Sequence, residues 1–161
     1  MVISATSWTL TPEDEQALRR GMERLLQESS AHCALLVDRG GQLLAQAGDR
    51  PAFDATTFAT LTAADFSAND QLARLLGETD FTSLFHQGER ESMLVADIAG
   101  RAILVVLFDA RTTLGLVRLR LRPAAESLTR IVDAMSARDA QAGAPRAILA
   151  GADDEIDKLF Q

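Results

Sequence analysis

An α+β domain (α/β in the broad sense), a five-stranded antiparallel sheet with helices packed on it, is what this 161-residue chain predicts. Three observations point there. Thr11-Pro12-Glu13-Asp14 opens an amphipathic run; LLVDRGGQLL sets two short apolar runs around a tight turn; and RAILVVLFD is followed directly by apolar residues at helical spacing. In chain order the elements read helix, strand, strand, helix, strand, strand, strand, helix.

The first helix starts at a hydroxyl N-cap, Thr11, with proline at the first helical position and acids facing the positive end of the helix dipole. Leu18, Met22, Leu25 and Leu26 then recur at helical spacing to about Ser29. Asp38-Arg39-Gly40-Gly41 is a hairpin turn between strands near 32–38 and 42–47. Asp54 caps a second helix, with Phe53 stapled to Phe58. Leu61, Ala68, Leu72, Leu75 and Leu76 continue its apolar pattern, and Gly77 stops it. Asp65, Asn69 and Asp70 interrupt that pattern. Either the helix breaks near Ser67, or this face meets something other than its own core.

Strands follow in FTSLFHQG from Phe81, ESMLVADIAG from Glu91 and RAILVVLFD from Arg101. The last is a nearly continuous apolar run, as a central strand buried on both faces requires. VRLRLR at 117–122 alternates like a strand, but Leu114, Val117, Leu121, Ala124, Leu128, Ile131 and Met135 fall at steps of three and four. That spacing predicts one helix over about 112–137, capped by Thr112 or Thr113 and bent at Pro123, which removes a backbone hydrogen bond. A short strand followed by a helix starting at Pro123 is the competing arrangement. Residues 1–10 read as an extension, 11–138 as the domain, and 139–161 as a linker ending in a short docking helix. In that tail Ile156, Leu159 and Phe160 share one side, a pattern of docking elements and of frayed termini alike.

A net charge of −7 argues against nucleic acid or an anionic membrane as the main partner. One cysteine, Cys33, rules out an internal disulfide and a multi-thiolate zinc site. The start shows no basic and apolar leader pattern, and Ala102–Phe108 is far too short to span a bilayer, so the expected location is cytoplasmic, without membrane insertion. Neither GxxxxGK[ST] nor GxGxxG occurs, so no nucleotide cofactor is expected. His32 reads as structural, and His86 as a strand-end or interface histidine with no nucleophile to serve. Arg118, Arg122 and Glu126 lie one turn apart in sequence, which allows pairing along a solvated face. No residue is assigned as catalytic, no cofactor or metal is expected, and nothing marks a self-sufficient enzyme.

The element order together with LLVDRGGQLLAQAG, ATLTAA, LARLLGE, FHQGERES and AILVVLFDARTTLGLVRLRLRPAAESLTRI resembles the Roadblock family of dynein light-chain-type domains. Within it the resemblance is to the bacterial MglB proteins that regulate the Ras-like GTPase MglA; DDEIDKLF at 153–160 is similar to their ending. The resemblance implies a Roadblock fold and a homodimer, or a heterodimer with a paralogue, joined edge to edge through Phe81, Thr82, Ser83, Leu84, Phe85 and His86, with the second helices side by side. It implies that the paired helices bind an MglA-like Ras-type GTPase through Thr62, Ala63, Phe66, Ser67, Asp70 and Gln71. Hydrolysis is then promoted without an arginine finger, the tail at Ile156, Leu159 and Phe160 also reaches the GTPase, and cell polarity or gliding motility is the process controlled, with polar placement through partners. The chain departs from the family where its members carry small residues: ADFSANDQ stands in place of a run resembling GNVAAMGG, a bulkier and more acidic face. A Roadblock scaffold with an altered partner surface and no activating role is the alternative; a ligand-sensing module with a central antiparallel sheet is a third, disfavoured by short loops.

Overall fold

The computed structural model describes residues 8–143. Helix α1 (Pro12–Ser29) begins in a capping box, with the Asp14 backbone N–H donating to the Thr11 hydroxyl and the Thr11 backbone N–H donating to the Asp14 carboxylate. It ends at Ser30, which takes the left-handed conformation. Strands β1 (Cys33–Asp38) and β2 (Leu43–Gly48) form the expected hairpin, with a bulge between Leu36 and Val37. Asp38 closes the turn by accepting from the Gln42 N–H at 2.8 Å. Helix α2 (Ala55–Leu75) is unbroken, so of the two readings of its polar interruption the continuous helix is the one adopted. Strands β3 (Ser83–Gln87), β4 (Ser92–Ile98) and β5 (Ala102–Phe108) follow.

All pairings are antiparallel, in the order β2-β1-β5-β4-β3. β5, buried along its whole length, lies at the centre. Helix α3 (Leu114–Gly143) is one helix, not a strand followed by a helix, and extends past the end expected near 137. Thr113 caps it, accepting from the Leu116 N–H through its hydroxyl and from the Val117 N–H through its carbonyl. Pro123 sits inside it. The carbonyl its ring leaves without a donor belongs to Leu119, which is exposed, so water can serve it and the helix continues.

Helices α1 and α3 cover one sheet face. Leu18, Met22 and Leu25 of α1 and Val117, Leu121, Leu128, Val132 and Met135 of α3 close over Leu36, Leu94, Ile98 and Leu104. Helix α2 covers the other face with a smaller cluster around Phe66, Leu35, Val95, Ile103 and Val105. The two helices of the thicker layer approach so closely that a Cβ on Gly21 would lie 3.3 Å from the Leu128 side chain.

Candidate docking surface

Helix α2 is apolar on two sides. Its inner side is made of small residues and one large one, Ala59, Thr62, Ala63, Phe66, Asn69 and Ala73, all buried. Its outer side carries Leu61, Ala64, Ala68, Leu72 and Leu75 at steps of three and four, a seam that repeats every seven residues. The leucines of this seam, with Leu76, are 55% to 83% exposed. An apolar stripe of this kind on a helix already seated on its own sheet marks a surface for another chain.

The seat beneath α2 is polar at one end. Arg39, from the β1–β2 turn, donates to Asp70 of α2 at 2.7 Å and to Asp97 of β4, and its guanidinium lies 4.7 Å from the centre of the Phe66 ring. Asp97 also accepts from the Gly100 N–H. The turn reaches the helix because Gly41, at φ +91°, has no side chain: a Cβ there would stand 3.0 Å from the Thr60 backbone. The interruption at Asp70 therefore meets the chain's own hairpin, while Asn69 is buried beside it. Asn69 Nδ2, Asp70 Oδ1 and Arg39 Nε are buried without partners among the described residues, which makes this seat less fully satisfied than the apolar layer opposite.

The six positions assigned to GTPase contact divide accordingly. Ser67 and Gln71 are exposed on the outer side of α2. Thr62, Ala63 and Phe66 are buried against the sheet, and Asp70 is held by Arg39, so these four set the orientation of the helix and present little surface of their own. Asp65, exposed, faces β3 and lies 3.0 Å from His86.

β3 is the edge strand on this side, paired to β4 from Ser83↔Ala96 to Gln87↔Ser92, and its other edge has no partner among the described residues. Leu84 turns towards the α2 layer, while Phe85 turns to the opposite layer and stacks on Phe108 with ring centres 6.1 Å apart. Phe81 and Thr82 precede the strand, where the Thr82 carbonyl accepts from the Asp97 N–H, and His86 is exposed. An open edge of this kind invites pairing with a second strand. The tail positions Ile156, Leu159 and Phe160 lie outside the described residues.

Chemistry-bearing groups elsewhere are occupied with one another. His32 Nε2 lies 2.7 Å from Glu91, and His32, Glu91 and Asp109 have ligand atoms within 4.8 Å of each other. Asp109 is engaged by the Arg111 guanidinium and backbone N–H, which hold its carboxyl down at about 2. A cation there would compete with that guanidinium. Burial pushes the Cys33 thiol up to about 11, so it remains a protonated core side chain. Arg118, Arg120 and Arg122 are exposed, and none meets a carboxylate within 4 Å among the described residues, so the pairing with Glu126 allowed by sequence is not formed. No helix among the described residues is long and apolar enough to cross a membrane.

Sequence reasoning marked α2 and β3 as the contact elements but missed Arg39, whose role depends on a contact across 31 positions of sequence, and missed that the leucines of α2 face outward. The Asp-Arg-Gly-Gly turn and the misplaced acids of α2 were the available signals for the first.

The Roadblock/LC7 domain model matches residues 21–108. The structure is similar to Myxococcus xanthus MglB, with a TM-score of 0.70 and 40% identity, over 73% of this chain and 95% of that one. It is similar to the gliding protein MglB from Thermus thermophilus, with a TM-score of 0.74 and 36% identity, over 79% of this chain and 96% of that one. An uncharacterized protein from Methanocaldococcus jannaschii is 36% identical over 75 residues, which make up 47% of this chain and 65% of that protein. The chain spans just under two thirds of the length of that curated relative. With three helices and a five-stranded antiparallel sheet among the described residues, and with these relatives, the chain belongs to the Roadblock/LC7 domain family and is MglB-like within it.

Proposed function

We propose that this protein is a regulator of a Ras-like GTPase of the MglA kind, working as a dimer in the cytoplasm and accelerating its partner's GTP hydrolysis without a catalytic residue of its own. The observation that carries the reading is the two-sided α2 helix beside an open β3 edge. One side of α2 is used up by the sheet, and the other offers a seam of leucines next to unpaired strand backbone. Pairing β3 with its copy through residues 81–86 would continue the sheet, and bring two α2 seams together. A GTPase would then meet the ridge around Ser67 and Gln71, with the segment at Ile156, Leu159 and Phe160 as a second contact, in a process such as cell polarity or gliding motility.

Single-turnover GTP hydrolysis by the cognate GTPase, with and without saturating dimer, tests the activating role; an unchanged rate would sink it. Arg74 is the one arginine within α2. Removing an arginine finger costs roughly a thousandfold or more in rate, so Arg74→Ala leaving the stimulated rate within about tenfold is the expected result of activation without one. A scaffold with no activating role is favoured by one specific feature, the acid Asp65, paired with His86 where the run resembling GNVAAMGG in the family has a neutral Asn. Under that reading the GTPase still co-elutes with the dimer but hydrolyses at its own rate.

A further inference from the structure

A groove of about 370 Å³ runs between α1 and α3 on the side of the molecule away from α2. Arg20 and Arg24 of α1 and Arg120 of α3 line it over an apolar floor that includes Leu25 and Ala124. None of the three arginines meets a carboxylate within 4 Å among the described residues, although Glu28 lies at one end of the groove. In a chain of net charge −7, a pocket of three such cations is a local reversal of sign. We propose that the acidic and apolar segment 153–160 of the same chain docks in this groove, with its carboxylates on Arg20, Arg24 and Arg120 and its apolar side chains towards Leu25 and Ala124.

Charge and reach both support this occupant. Segment 153–160, DDEIDKLF, sets Asp153, Asp154, Glu155 and Asp157 against a single Lys158, and carries Ile156, Leu159 and Phe160. Helices α1 and α3 run antiparallel: Arg138 bonds Asp14, and Gly21 faces Leu128. The end of α3 at Gly143 therefore lies near the start of α1, and the groove lies back along the pair. From Gly143 to Pro123 the distance along the helix is about 30 Å at about 1.5 Å per residue. Asp153 comes ten positions after Gly143, and an extended chain of that length reaches about 34 Å. Gly143 followed by Pro145 is a sequence signal for a helix stop. Exposed ion pairs are individually weak. Several of them, together with an apolar contact, suffice when tethering makes the encounter intramolecular. A segment held here is withheld from any other partner, which makes the groove a regulatory site whether or not that partner is a GTPase.

Paramagnetic broadening in the full chain tests the proposal. A nitroxide is attached at Gln161→Cys in a Cys33→Ala background, and backbone amide intensities are read in isotope-labelled protein. Amides in 20–28 and 120–127 should lose at least about half their intensity and recover in about 1 M salt, where the screening length falls to about 3 Å. The triple variant R20E/R24E/R120E should abolish the broadening, and combining it with D153R/D154R/E155R should restore it. Broadening that is absent from the groove, or that survives the triple variant, would overturn the proposal. So would broadening confined to mixtures of spin-labelled and isotope-labelled chains, which would assign the groove to the segment of a second copy.

Discussion

The two faces of the sheet are covered in different ways. On one face, α1 and α3 bury a broad layer of large aliphatic side chains, with Leu18, Met22, Leu128, Val132 and Met135 entirely inaccessible to water. On the other, α2 rests on alanines, one phenylalanine and a charged seat, and turns its leucines outward. Burying a large aliphatic side chain contributes about 1.5–3 kcal/mol, so the first face supplies most of the fold's stability. The second spends its apolar surface on what lies beyond the chain. On the proposed function, stability and recognition are thus separated on opposite sides of one sheet, and the separation can be attacked at graded cost.

The largest expected effect comes from Phe66, the one large side chain of α2 that is fully buried, with Phe58 packed only partly against the same cluster. Phe66→Ala should destabilise by about 3–5 kcal/mol, the range for emptying a buried aromatic site, measured by urea denaturation. Leu128→Ala on the opposite face, at about 2–5 kcal/mol, is the comparison. Hydrogen exchange then separates the two: Phe66→Ala should lose protection first in α2, and Leu128→Ala throughout α1 and α3.

Next comes the charged seat. Arg39 is about a third exposed and contacts two carboxylates that are themselves largely covered. Arg39→Met leaves both acids without their cation, and should cost about 1–3 kcal/mol, as losing the partner of a largely covered polar group does. Adding Asp70→Asn and Asp97→Asn should regain part of that loss, because the uncompensated charge is then gone. A triple variant no more stable than Arg39→Met would show that the seat acts through packing on Phe66 and not through charge.

Much of this was legible from the sequence, and the parts that were not share a cause. Helix starts carry chemical signatures, so Thr11, Asp54 and Thr113 marked their caps, and the continuous apolar run marked β5 as central. The count of apolar positions also settled VRLRLR as helix, with Val117 and Leu121 inward and the arginines outward. The orientation of α2 was not legible. With apolar residues on both sides, periodicity gives a helix but not the side that faces home, and the larger leucines looked like the core side. Phe66 was placed on the contact surface by the family resemblance, which carries no information on which side of this helix the sheet covers. Only the sheet's own occupants, above all Arg39, decide which side is bound.

A smaller effect on the monomer, but a decisive one on assembly, is expected from the outer seam. Leu72→Glu with Leu75→Glu replaces exposed side chains, for which stability changes within about 0.5 kcal/mol are usual. Light scattering after size exclusion should show the dimer reduced to monomer, and stimulation of the GTPase should fall with it. A dimer that persists would leave β3 pairing as sufficient by itself.

The mildest test lies at the end of the thick layer, where α1 and α3 are tied by charge. Asp14 accepts from the Arg138 guanidinium and from Thr11, and these bonds, with Arg138 first, hold its carboxyl below the ordinary carboxylate value of 3.8 despite an opposing contribution from burial. A carboxyl that is easier to ionise in the folded state stabilises that state wherever the unfolded chain would also be ionised, that is, above about pH 4. The contribution fades as pH falls through the folded value, because both states are then protonated. Asp14→Asn should therefore unfold at lower urea than the parent at neutral pH, and the gap should close as pH falls below about 4. Arg138→Met should show the same convergence, since it removes the other half of the same pair. A gap that is flat across that range would mean that the loss in Asp14→Asn does not come from the ionised carboxylate, neither through Arg138 nor through the Thr11 cap.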